Sequence, residues 1–131
     1  MTHSINIAFL CIVLACFMPL LLTIVAKAGG AREKRYDNRE PRVWLADLSG
    51  WARRANAAQQ NSWEALPIFI AGVLMAAHAQ VPQATLDFWA VWFSVARLIY
   101  AFLYISNRAS LRSLVWALAL LAPLRLMIAA L

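Results

Sequence analysis

From Ile5 to Ala26 the chain runs for 22 residues interrupted only by Asn6 and Thr23 among apolar side chains. A helix needs about 20 residues to cross a hydrocarbon core about 30 Å thick, so this run spans a bilayer without help. Three further apolar runs cover about 65–79, 88–105 and 114–131, and each reaches spanning length by recruiting polar flanks. Hydrophobic residues make up 63% of the 131, far above the roughly 45–50% of soluble domains. The expected fold is therefore an all-α integral membrane protein, a single domain in which four transmembrane helices at about 5–26, 56–79, 83–105 and 111–131 form a bundle.

The first run is read as a retained span. Its stretch "VLAC" (Val13 to Cys16) has a loose likeness to a cleavage box, but no Lys or Arg precedes it and the chain stays apolar for ten residues beyond Cys16. Cys11 and Cys16 are five apart, on different helix faces and outside any metal-ligand spacing, so no metal site is expected.

Basic residues set the orientation. Between Lys27 and Arg54 eight cations face four acids, a net +4. The connection at 80–83 has no Lys or Arg, and the third connection carries Arg108 and Arg112. The positive-inside rule then puts the first and third connections in the cytoplasm and both termini on the opposite, periplasmic side of what is read as a bacterial inner membrane. This topology accounts for most of the +6 net charge, and nucleic acid is not an expected partner.

The long connection, about 27–48, contains "AGGAREKRYDNREPR", rich in charge and turn formers, and is expected to be an irregular cytoplasmic loop with Pro41 breaking any helix. The chain restarts as a helix at Asp47 or Ser49, either of which suits a cap. Arg53, Arg54, Asn61 and Glu64 then fall on one polar face, and Pro67 is expected to bend the helix or free the carbonyl of Trp63. In the third span Arg97, Tyr100 and Tyr104 follow at i, i+3 and i+7, a polar-edged stripe near its cytoplasmic end. Charges at membrane depth are costly, so Glu64 and Arg97 are expected to face inward. They would pair with each other, as helix glue, or floor a cleft rimmed by Arg53, Arg54, Arg108 and Arg112 that suits a small zwitterion or anion.

"NSWEALP" as Asn-x-x-Glu-x-x-Pro, "RLIYAFLY" as Arg-x-x-Tyr-x-x-x-Tyr, the four-span layout and the long first loop with "YDNREPR" together resemble the membrane-associated proteins in eicosanoid and glutathione metabolism, the MAPEG family, in its bacterial form. The resemblance implies a homotrimer in which glutathione binds between neighbouring subunits on the cytoplasmic side. A lipophilic second substrate would arrive from the membrane lipid. It implies that Asn61 and Glu64 hold the tripeptide, that Tyr100, Tyr104 and Arg97 supply the third-span contacts, and that Arg112 approaches the thiol as the catalytic cation. Several catalytic relatives carry an arginine one turn before the motif asparagine, where this chain has Ala57; Arg53 or Arg54 would have to reach from the same face. The activity so implied is that of a glutathione transferase or peroxidase using glutathione as co-substrate. A non-catalytic membrane scaffold, or a relative that binds another small polar ligand, is the competing reading, and a transporter ranks last because the second connection offers no charged residue to continue a polar path.

Overall fold

The computed structural model describes residues 6–131, so Ile5, the expected start of the first span, lies outside the described residues. They form α1 (Ile7–Gly30), α2 (Pro41–Ala46), α3 (Gly50–His78), α4 (Gln83–Ile105) and α5 (Ala109–Ala129). α1, α4 and α5 are long and apolar enough to cross a membrane. α3, 29 residues long, has a polar first half that keeps it short of the same apolar standard. The bundle packs α3 against all three of the others, with α1 beside α4 and α4 beside α5.

The start of α1 shows how a helix end is satisfied with little water. Asn6 accepts a bond from the Phe9 N–H at 3.0 Å, and Asp87, reaching over from α4, accepts one from the Ala8 N–H at 3.0 Å. Gln83 donates to Asp87 at 2.7 Å and to Asn6 at 3.2 Å, closing a polar clasp that sets α1 and α4 side by side and parallel. An unpaired N–H in hydrocarbon costs several kcal/mol, so the clasp fixes both register and direction.

The core is built from small residues around one aromatic pair. Phe69 and Phe93 stack with ring centroids 4.0 Å apart, flanked by buried Ala65, Val73, Ala90, Ala119 and Ala122. Small side chains let helix backbones approach, which is the main source of packing energy between spans. The limit is reached where α3 meets α5: a Cβ on Gly72 would lie 3.0 Å from both the Cα and the carbonyl oxygen of Pro123. Pro123 cannot donate to the carbonyl one turn back, and Trp92 donates to the neighbouring Leu118 carbonyl at 2.8 Å. Large side chains such as Phe17, Leu21, Phe102 and Ile128 stand exposed on the outer surface, as lipid-facing positions do. α3 runs through Pro67, and α1 through Pro19, as single helices.

The 27–48 segment departs from the irregular loop expected. α1 continues to Gly30, and Pro41 starts a helix, at a first-turn position where its missing N–H costs nothing. Trp44, Leu45 and Leu48 then fold back onto Ala26, Ala52 and Ala55. Gly30 permits this return, since a Cβ there would sit 2.5 Å from Leu48 and 2.6 Å from the Trp44 ring. The Trp44 indole donates to the Arg35 carbonyl at 2.8 Å, and buried Asn56 on α3 donates to the Leu45 carbonyl. Ser49 occupies the N-cap position of α3, but its hydroxyl donates to Glu33 at 2.9 Å and makes no cap bond; Asp47 is bonded to Lys34 at 2.9 Å. That lysine holds the Asp47 carboxyl below its ordinary range.

Candidate functional site

The polar half of α3, the last turns of α4 and the first turns of α5 meet at the α2 end of the bundle. Arg97 is buried there. Its Nη1 donates to Asn61 Oδ1 at 3.0 Å and its Nη2 to Ser62 Oγ at 3.3 Å, while the Ser62 hydroxyl donates to the Ala58 carbonyl. Asn61 in turn donates from Nδ2 to Glu64 at 3.0 Å. The asparagine amide therefore bridges the two charges, where direct pairing of Glu64 with Arg97 was one expectation.

The expectation that Glu64 faces inward is corrected: in the single chain it lies on the exposed surface, because a helical turn that carries Asn61 toward Arg97 leaves Glu64 at the edge of the same face. Arg97 does face inward, as its cost in hydrocarbon requires. Its guanidinium also stacks over Tyr100, 4.1 Å from the ring centroid. Tyr100 meets Tyr104 edge to face at 5.7 Å, and Arg112 of α5 lies over Tyr104 at 4.3 Å. Cation and ring thus alternate, Arg97, Tyr100, Tyr104, Arg112, across the α4–α5 junction.

These groups border a cavity of about 440 Å³ lined by Asn61, Tyr100, Tyr104, Arg112, Ser113, Trp116 and Ala117. Its size falls within the roughly 300–1,000 Å³ typical of small-molecule sites. Four residues singled out from the sequence therefore share one cavity wall, with Arg97 buried behind Asn61 and Glu64 exposed beside it. Arg53 stands exposed and apart, and Arg108 is exposed at the head of α5; neither lines the cavity. Arg54 turns instead to the end of α4, donating from Nε to the Ile105 carbonyl at 2.9 Å, which satisfies one of the carbonyls a helix C-terminus leaves free. Ser113, Trp116 and Ala117 escaped notice in the sequence. Their signal was spacing alone, since Arg112 and Trp116 are one turn apart on α5 and Ser113 and Ala117 flank them.

A guanidinium, an amide and two phenol hydroxyls around an open cavity can bind carboxylates, polarise a thiol or donate to a developing anion. The described residues hold no cluster of metal-ligating side chains, and Cys11 is buried in the core with Cys16 half-buried on the same helix.

Long apolar helices, with a cation-lined polar cavity at one end of the bundle, are those of an integral membrane protein. The chain belongs to the MAPEG family, whose model matches residues 7–131. This family includes glutathione transferases and peroxidases together with members of other activity. No curated protein and no solved structure matches the chain.

Proposed function

We propose that this protein is a membrane-bound glutathione transferase or peroxidase acting on small lipophilic electrophiles or hydroperoxides. The observation that carries the reading is the single cavity that gathers Asn61, Tyr100, Tyr104 and Arg112, with Arg97 buried behind Asn61 and Glu64 exposed beside it. Its donor set fits a peptide bearing carboxylates, an ammonium and a thiol: Arg112 for an anionic group, Glu64 for a cationic one, the Asn61 amide and the tyrosine hydroxyls for the rest.

Bound glutathione would supply a thiol whose ordinary pKa is about 8.5, and the thiolate is the reactive form. Arg112 contributes positive charge at the cavity wall, which favours that form, and Tyr100 or Tyr104 can donate a hydrogen bond to sulfur. Arg97 acts one layer back by holding the Asn61 amide in one orientation, with its oxygen toward Arg97 and its nitrogen toward Glu64. No covalent protein intermediate is needed.

Glu64 stands exposed while bonded to the cavity residue Asn61, which accords with a homotrimer whose neighbouring copy covers it. In the same reading α3 is the second of four spans, the α2 end is cytoplasmic, and both termini are periplasmic in a bacterial inner membrane. Ala57, half-buried one turn before Asn61, favours a second reading, a scaffold or a binder of another polar ligand, because it withholds the cation that several catalytic relatives place there. Transport fits least: the Phe69–Phe93 stack and its alanines fill the bundle beyond the cavity.

Calorimetric titration of glutathione into the detergent-purified protein tests the proposal, with Glu64→Gln as control. Saturable binding that the variant weakens supports it. No heat at millimolar ligand, together with no thermal stabilisation, overturns it in favour of the second reading.

A further inference from the structure

A second cavity lies on the other side of Arg97. It measures about 180 Å³ and is enclosed by Leu14, Ala15, Met18 and Leu21 of α1, Ser62 and Leu66 of α3, and Phe93, Ser94, Arg97 and Leu98 of α4. It shares no lining residue with the polar cavity. Its walls are almost wholly apolar, and Leu14, Leu21 and Leu98 are exposed at its mouth, so entry is from hydrocarbon and not from water. An apolar cavity of about 150 Å³ stays dry and takes up a molecule the size of benzene, so this one accommodates roughly six to eight carbon atoms.

Arg97 makes the cavity more than a packing gap. The residue is 5% exposed and sits eight residues before the end of α4, about 12 Å along the helix. The ion pairs among the described residues are Lys34–Asp47 and Arg39–Asp37, so no carboxylate touches the Arg97 guanidinium. Two of its five N–H donors are given to Asn61 and Ser62, its face lies over the Tyr100 ring, and no carboxylate is bonded to the rest. The hydroxyls of Ser62 and Ser94 point their hydrogens at the Ala58 and Ala90 carbonyls, which leaves Arg97 as the one group in the cavity with donors to spare. A buried cation without a contacting anion is stabilised by any carboxylate that reaches it, and an anion at this depth is tolerated only beside such a cation.

We propose that the cavity between α1, α3 and α4 is a binding site for a medium-chain aliphatic carboxylate, its head on Arg97 and its chain among Leu14, Met18, Leu66 and Phe93. The site is separate from the polar cavity, joined to it through Arg97, which bonds Asn61 and stacks over Tyr100, and does not depend on what the polar cavity binds. Hydrogen bonds to a charged group correspond to roughly ten- to a hundred-fold in affinity, so the acid should outbind its neutral ester by that margin.

The test is photolabelling of the full chain in lipid nanodiscs with an eight-carbon carboxylic acid bearing a diazirine, beside its methyl ester, with peptide mapping by mass spectrometry. Labelling by the acid should saturate, fall on the segments 14–21 and 93–98, be displaced by unlabelled octanoate, and exceed that by the ester at least about tenfold. Ala15→Leu, which fills the cavity, should abolish it. Equal labelling by acid and ester, or labels confined to outward side chains such as Phe102 and Ile128, would mean simple partition into lipid and overturns the proposal. The acid-to-ester comparison on the unaltered chain decides the matter whether or not the filled variant folds.

Discussion

The Arg97–Asn61 bond should carry measurable coupling energy. Asn61→Leu removes the shorter of the two bonds the guanidinium makes, 3.0 Å against 3.3 Å to Ser62, and leaves a buried cation with one oxygen. A hydrogen bond to a charged group is worth about 1.5–3 kcal/mol, so the expected cost is about 2 kcal/mol. Arg97→Met removes the charge and leaves Asn61 and Ser62 without their donor, at about 1–2 kcal/mol, because Asn61 is half-buried and can be hydrated. The double variant loses the shared bond only once and should be more stable than the sum by about 1–2 kcal/mol. Polar pairs between membrane helices average about 0.6 kcal/mol and reach about 1.7, and a charged donor belongs at the upper end. Reversible unfolding of the four proteins in mixed micelles measures the cycle. Additivity within about 0.5 kcal/mol would show that the pair merely adjoins, and the braced-amide argument for the site would fail.

Other perturbations address other parts of the chain. Gly72→Val should destabilise by about 1–3 kcal/mol in the same unfolding assay, since the clash at 3.0 Å is with the Pro123 backbone, which cannot swing aside. Asp87→Ala should cost about 1–2 kcal/mol, as cap losses do, and raise hydrogen exchange at the Ala8 amide; unchanged exchange would refute the clasp. Asp47 has a folded pKa below its ordinary 3.8 because Lys34 bonds it. The pair's contribution is therefore fully present above that ordinary value and lost as pH falls through the lowered one. Lys34→Met should return the Asp47 carboxyl titration, followed by NMR, toward the ordinary value.

Much of this architecture can be read from the chain. α1 and α4 are visible as apolar runs, and the Arg97, Tyr100, Tyr104 stripe follows from helical spacing alone. The exceptions have physical causes. Pro41 reads as a breaker when its neighbours are polar, yet a proline at a first turn is also a start signal, and only the burial of Trp44 and Leu45 distinguishes the two. Spacing placed Arg54 with Asn61, but the chain ends of other helices compete for a guanidinium, and the Ile105 carbonyl captured it. Which side of a polar helix face turns inward depends on what stands opposite. Arg97 selects Asn61 over Glu64, and no local pattern records that choice.

α5 is held unevenly. Its buried residues, Ala119, Ala122, Pro123 and Leu126, all lie in the second half, and none of its first ten residues is buried. It is clamped hardest at the Gly72–Pro123 crossing and held more lightly at the end that bears Arg112, where the short 106–108 connection and the Arg112–Tyr104 contact tie it to α4. The width of the polar cavity is then set at the lightly held end of a beam about 15 Å long, where a tilt of a few degrees moves a guanidinium by about 1 Å. Whatever braces that end, a ligand against Arg112 or a second protein surface against Trp116, tunes the site without disturbing the core that holds the helix in place.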